Sequence, residues 1–149
     1  KFRFSLYAPL EKPSVSAAPS TGNTKSETTG PRPIDLSWAG GLLDGEGCFR
    51  ASNSPTISVE TTSKGTVERL YELFEGTCSA EKRLTAAGRQ VFRWRIYGKK
   101  ALVVCDAVLP FLVEKREQAS LLLSFYRYPA RSAMRSSIAS QLKGLKRTV

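Results

Sequence analysis

Two carboxylates one glycine apart, Asp44 and Glu46, close the segment Trp38-Ala39-Gly40-Gly41-Leu42-Leu43-Asp44-Gly45-Glu46-Gly47. The apolar part of that segment reads as the end of a helix, where adjacent glycines are costly, about 1 kcal/mol each against alanine. Their physical use is close approach: bare backbone at Gly40 and Gly41 lets a second helix pack face to face. Two copies of the segment would then bring their carboxylates side by side. Carboxylates that close repel unless a cation lies between them, which is the logic of a Mg²⁺ site for phosphodiester cleavage. The same residues also fit the plainer alternative of a capped helix end.

The elements that must position these groups are legible from periodicity. Asp35 reads as the N-cap of a helix from Leu36 to about Leu43, with Gly45 or Gly47 as a left-handed stop. Phe49 and Ala51 alternate with Cys48, Arg50 and Ser52, Asn53-Ser54-Pro55 turns the chain, and Ile57 and Val59 alternate in the returning strand. Val67, Leu70, Leu73 and Phe74 recur at helical spacing up to Gly76. A second hairpin, Thr77 to Thr85 and Gln90 to Tyr97, turns at Ala86-Ala87-Gly88, and apolar helices follow at Lys99 to Leu109 and about Glu114 to Tyr126. The order predicts an α+β domain of αββαββα type.

Composition narrows the chemistry. The 149 residues suit one domain with a core, and a net charge of +10 from 23 basic against 13 acidic side chains points to a polyanion partner, nucleic acid before a membrane surface. There is no histidine, which removes imidazole triads, HEXXH zinc hydrolases and histidine nucleases; hydrolysis would have to run on carboxylates, lysine and bound metal. Three scattered cysteines write neither a disulfide framework nor a CxxC zinc site and fit a reducing, intracellular compartment. The longest apolar stretch, Ala101 to Val113, is broken by Asp106 and Pro110, so no bilayer span and no membrane partner is expected.

The basic excess lies mostly at the ends. Residues 1–33 hold five basic and two acidic side chains, 34–128 hold 13 and 11, and 129–149 hold five and none. Residues 1–33, with Pro9, Pro13, Pro19, Pro31 and Pro33 among Ser, Thr and Gly, read as an extended arm; 34–128 form the domain. Beginning at Lys1 rather than methionine, the chain leaves room for an upstream organelle transit peptide. Residues 129–149 form a basic tail carrying Arg131, Arg135, Lys143, Lys146 and Arg147. It fits an amphipathic helix through Met134, Ile138, Leu142 and Leu145, a segment that orders on nucleic acid, or a frayed surface helix. In the strand after the second turn, Arg89, Val91, Arg93, Arg95 and Tyr97 share one face while Phe92, Trp94 and Ile96 take the other. Arginines so placed, with Arg50 on the first strand, suit phosphate contacts and guanine readout, although a solvated outer face has the same pattern.

Over nine positions, Ala39 to Gly47 (AGGLLDGEG) resembles the LAGLIDADG signature of homing endonucleases, and Trp38 and Phe49 flank it as in that family. Pro110-Phe111-Leu112, Lys115, Gln118-Ala119 and Leu121 are similar to the family's late PFLxxKxxQAxL segment. The resemblance covers roughly Ile34 to Tyr128 and implies the LAGLIDADG homing-endonuclease fold, a curved antiparallel sheet packed on helices. It implies Glu46 as catalytic metal ligand with the Gly45 carbonyl, Asp44 as a structural carboxylate that caps or links helices, and Lys115 near the scissile phosphate. Gly40 and Gly41 would form a homodimer seam. Where the family usually has glutamine after the second strand, this chain has Thr61 and Thr62, and its first hairpin has room for only about five residues per strand.

Two functions follow from the resemblance. In one, the chain is a homodimeric, Mg²⁺-dependent endonuclease cutting a long, roughly palindromic DNA site, in an organelle or a phage or bacterial cytoplasm. In the other it is a domesticated, cofactor-free RNA-binding subunit of a mitochondrial or plastid ribonucleoprotein, a ribosome or splicing complex.

Overall fold

The computed structural model describes residues 30–146; the arm before Gly30 and the candidate phosphate contact Arg147 lie outside the described residues. The elements are α1 (Pro33–Glu46), β1 (Gly47–Ala51), β2 (Pro55–Thr61), α2 (Lys64–Phe74), β3 (Thr77–Leu84), β4 (Gln90–Tyr97), α3 (Gly98–Val108), α4 (Arg116–Leu123) and α5 (Ala133–Leu145). The four strands form an antiparallel sheet in the order β1-β2-β4-β3. Among the described residues no helix is long and apolar enough to cross a membrane.

Strand alternation divides the sheet into two faces. Phe49, Ile57, Val59, Cys78, Phe92, Trp94 and Ile96 are buried and meet Ala39, Leu43, Val67, Leu70, Val104 and Leu122 from the helices in one core. Trp94, fully buried, satisfies its indole N–H on the Glu75 carbonyl at 2.7 Å. The opposite face carries Arg50, Glu60, Arg93 and Arg95. The basic segment after Pro129 folds as α5 against β1 and α4, with Ile138 and Leu142 buried in the same core.

The start of α1 differs from the expected one. Arg32 is the N-cap, Pro33 occupies the first helical position, and Asp35 sits a turn inside. Pro33 suits that place because its missing N–H is one the first turn leaves unpaired anyway. Asp35 reaches back to the Arg32 backbone N–H at 3.3 Å and Nε at 2.8 Å, closing a capping box. The Arg32 guanidinium, hydrogen-bonded to it, holds the Asp35 carboxyl down at about 2 against the opposing effect of burial, with Arg69 assisting. Arg69 also lies 4.2 Å over the Trp38 ring, tying α2 to α1.

At its other end α1 has no left-handed stop. Gly47 is extended, with φ −70° and ψ 147°, and the helix passes directly into β1. A side chain at Gly47 would lie 2.8 Å from the Leu43 Cα, so the close passage from helix to strand requires glycine. The final helix of the expected domain is also shorter than its sequence pattern, Arg116–Leu123, with a one-turn 3₁₀ segment at Phe125–Arg127 taking up its end.

Gly40 and Gly41 face opposite surroundings. A methyl group at Gly40 would overlap the Phe111 Cβ, while Gly41 has nothing within 4 Å. Gly40 is therefore a close-approach site inside the chain, and only Gly41 faces outward. Opposite signs are expected in chemical denaturation. Gly40→Ala overpacks against a Cβ that cannot swing away and costs about 1–3 kcal/mol, whereas Gly41→Ala gains up to about 1 kcal/mol of helix propensity. Equal melting behaviour of the two variants would contradict this packing.

Candidate functional site

The end of α1 and the start of α4 hold each other through one residue of each motif, Asp44 and Lys115. The Asp44 carboxylate accepts the backbone N–H groups of Val113, Glu114 and Lys115 at 3.2, 3.1 and 2.8 Å. It thereby holds the turn that leads into α4, down to the N-cap residue Lys115. Burial acts to raise the Asp44 pKa, but the three N–H donors outweigh it and leave the group below its ordinary value. In return, the Lys115 ammonium donates to the Gly45 and Gly47 carbonyls at 2.8 Å each and to Leu43 at 3.4 Å. Those carbonyls lie at the α1 terminus, where a cation also meets the negative end of the helix dipole. Burial lowers the Lys115 pKa more than Asp44, Cys48 and Glu46 raise it.

This arrangement keeps Asp44 structural, as a cap within one chain, and changes the outlook for Gly45, whose carbonyl is already bound by an ammonium. Glu46 is exposed and makes no hydrogen bond or ion pair among the described residues. Tested as a divalent-cation site, one chain offers a single free carboxylate and a blocked carbonyl. Among the described residues no three His, Cys, Asp or Glu side chains converge as a metal cluster. A single copy therefore does not fit the metal; a second carboxylate has to come from elsewhere.

Glu46 lies at the rim of a concavity of about 560 Å³ on the open sheet face, lined by Cys48, Arg50, Ser58, Glu60, Thr61, Thr62 and Arg83 among others. The threonines thus line the same concavity as Glu46, but they bring no amide. Register explains the rest of the face: Cys48, Ser58 and Arg95 form one row across β1, β2 and β4, and Glu60 pairs with Arg93 in the next. Of the expected basic residues, Arg93 is not free. Its Nε donates to Glu60 at 2.8 Å and its Nη1 lies 3.1 Å from Glu81, while Arg83 also bonds Glu60. Burial tends to raise the Glu60 pKa, and Arg93, with Arg83 and Arg50, more than offsets it. Val91, on the same side of β4, is buried. Arg95 donates to the Tyr97 hydroxyl at 2.9 Å and stacks near its ring, and Arg89 is exposed in the β3–β4 turn.

The C-terminal candidates separate likewise. Arg135 donates to the Phe125 and Tyr128 carbonyls at 3.2 and 2.9 Å and lies over the Phe125 ring, so it fastens α5 to the end of the domain. Arg131 and Lys143 are exposed. Lys146 reaches the site itself: its ammonium is 2.8 Å from the Cys48 Sγ, and Arg50 Nε is 3.1 Å from the same sulfur. Sequence reasoning assigns Cys48 no role and has no signal for Glu60, since both depend on partners brought in by register and by α5.

The three thiols are accordingly unlike. Burial pushes Cys78 and Cys105 up to about 12. Burial acts on Cys48 in the same direction, but the ammonium of Lys146 and the guanidinium of Arg50 outweigh it and hold this thiol below its ordinary value. Iodoacetamide at neutral pH is expected to modify Cys48 alone in the folded protein, with Cys78 and Cys105 reacting only after denaturation, as peptide mass mapping would record. Comparable labelling of all three would contradict the assignment.

No family model matches the chain, and no curated protein matches it. Among solved structures it is similar to the homing endonuclease I-CvuI, once in complex with the I-CreI target in the presence of 2 mM Mg with the DNA not cleaved, and once with its own target in 2 mM Ca. Each superposition has a TM-score of 0.61 at 19% identity, covering 75% of this chain and 82% of the other. The helix-borne DGEG turn, the sheet order and these superpositions agree: the chain has the LAGLIDADG homing-endonuclease fold.

Proposed function

We propose that the chain binds double-stranded DNA on the open face of its sheet and cleaves it as a pair of copies, with Glu46 of each as the catalytic carboxylate. The observation that carries this is Glu46 itself, a carboxylate left exposed and unpaired at the end of α1 while its neighbour Asp44 is fully committed to capping. The outward strip of α1, Ile34, Ser37, Gly41 and Gly45, is exposed and bare enough for a second helix to approach. Such a pairing brings two Glu46 side chains together, and their repulsion favours a shared cation. Mg²⁺, when bound there, supplies the positive charge that activates water and steadies the phosphate. The solved neighbours, both held on DNA targets, support the same reading.

Glu46 would hold the cation, while Lys115 sets the conformation of the Gly45–Gly47 backbone from which Glu46 projects. Arg95 and Arg89 offer donors to DNA from the sheet. Selection of cleaved molecules from a randomised DNA library in Mg²⁺, with sedimentation of the protein–DNA complex, tests the proposal. Staggered cuts and two copies per duplex are expected; a monomer that cuts nothing overturns it.

The second reading, an RNA-binding subunit of an organellar ribonucleoprotein, draws on one observation: β1 spans only five residues, which shortens the hairpin that would read base pairs. Co-sedimentation with a ribonucleoprotein particle at moderate salt is its requirement, and free protein under those conditions rejects it.

A further inference from the structure

An ammonium carries three N–H donors and a guanidinium five. Lys115 commits its ammonium to three carbonyls of the α1 terminus, so it meets a phosphate only by letting go of that helix end. Arg50, which lines the same concavity, and Lys146, which reaches the Cys48 thiol lining it, have donors to spare. Arg50 uses only Nε, on Cys48 Sγ at 3.1 Å, and Lys146 uses one N–H on the same sulfur at 2.8 Å. Cys48 and Arg50 line the concavity together with Glu46. Lys146 arrives from 98 positions further along the chain and is fixed in place because Ile138 and Leu142 bury α5 in the core.

We propose that Arg50 and Lys146, gathered on the Cys48 thiol, form a phosphodiester-binding cradle beside Glu46, so that α5 belongs to the working centre. Two cations within hydrogen-bond reach of one sulfur are close enough to bracket one phosphate group. Their unused N–H donors match the two unesterified oxygens of a diester, and charge-assisted bonds of this kind are the stronger ones. A half-buried sulfur is a weak acceptor, so it positions the cations without satisfying them. The ligand class is a backbone phosphate, read without regard to base sequence. This rests on the reading of the chain as DNA-binding.

The test is the salt dependence of binding to a duplex of about 30 base pairs in EDTA, where no cutting occurs; the log–log slope becomes shallower by about 0.9 for each phosphate that the protein no longer neutralises. Lys146→Met is expected to neutralise about one phosphate fewer per copy, two per paired complex, and to bind at least roughly tenfold more weakly at moderate salt. Lys146→Arg is expected to keep the slope, and Lys99→Met on α3 is the control for bulk charge. DNA is also expected to protect Cys48 from iodoacetamide. An unchanged slope in Lys146→Met, an equal loss in Lys99→Met, or Cys48 labelled as fast with DNA as without it overturns the cradle. Failure of the unaltered protein to bind duplex at low salt is a different result, and it rejects the DNA-binding reading itself.

Discussion

Glu46→Gln is expected to leave folding and DNA affinity within about twofold of the unaltered protein and to lower Mg²⁺-dependent cleavage by about a thousandfold, roughly 4 kcal/mol of barrier. The fold is indifferent because the Glu46 carboxylate is exposed and holds nothing: it accepts no hydrogen bond and forms no ion pair among the described residues. Glutamine has nearly the same shape, so the α1–β1 junction, set by Gly47 and by Lys115 on the neighbouring carbonyls, keeps its geometry. What changes is one negative charge per copy. In a paired site that removes two, and among the described residues the other carboxylate lining the concavity, Glu60, is already paired with Arg83 and Arg93. Binding in Ca²⁺ or EDTA, thermal melting and single-turnover cleavage together check this. Cleavage by Glu46→Gln within tenfold of the unaltered rate would show that the catalytic carboxylate lies elsewhere.

The contrast between Glu46 and Asp44 also marks how far the sequence alone can be read. Local periodicity places both carboxylates at a helix exit, and the two-residue alternation of β4 separates Phe92, Trp94 and Ile96 from the arginines, because such patterns depend only on near neighbours. The start of α1 departs from the expected one although its signal is present: Pro33 is well suited to the first helical position, which makes Asp35 an interior residue reaching back to Arg32. The remaining differences are non-local. Gly40 packs on Phe111, some 70 residues away in sequence, and nothing in the GG pair distinguishes that from a seam between copies. Arg93 looks free in the sequence because its acidic partners sit on β2 and β3, and register is decided by the folded sheet. Lys146 reads as part of a tail, since only the burial of Ile138 and Leu142 carries it to Cys48.

Asp44→Ala is expected to destabilise the domain by about 2–3 kcal/mol, a large share of the roughly 5–15 kcal/mol available to a domain of this kind. Loss of an N-cap alone costs about 1 kcal/mol, and bonds to a charged acceptor are worth more than neutral ones. Here one carboxylate serves three consecutive N–H groups, at Val113, Glu114 and Lys115. The damage spreads, because α4 presents Ala119 and Leu122 to the core and positions the Lys115 ammonium on the α1 carbonyls. Asp44→Asn, which keeps an oxygen acceptor without the charge, is expected to lose about half as much. The sign of the pH dependence follows from the lowered pKa of Asp44. Its contribution is fully present above the unfolded-state value of about 4 and is lost as pH falls through the folded one. Urea unfolding of Asp44→Ala and the unaltered protein at neutral and acid pH measures this directly. The curves are expected to lie far apart at pH 7 and to converge as the pH drops, because protonation removes from the unaltered protein what the substitution has already removed. A gap that stays constant with pH would mean that the Asp44 methylene packing, rather than its charge on the α4 terminus, joins the two motifs.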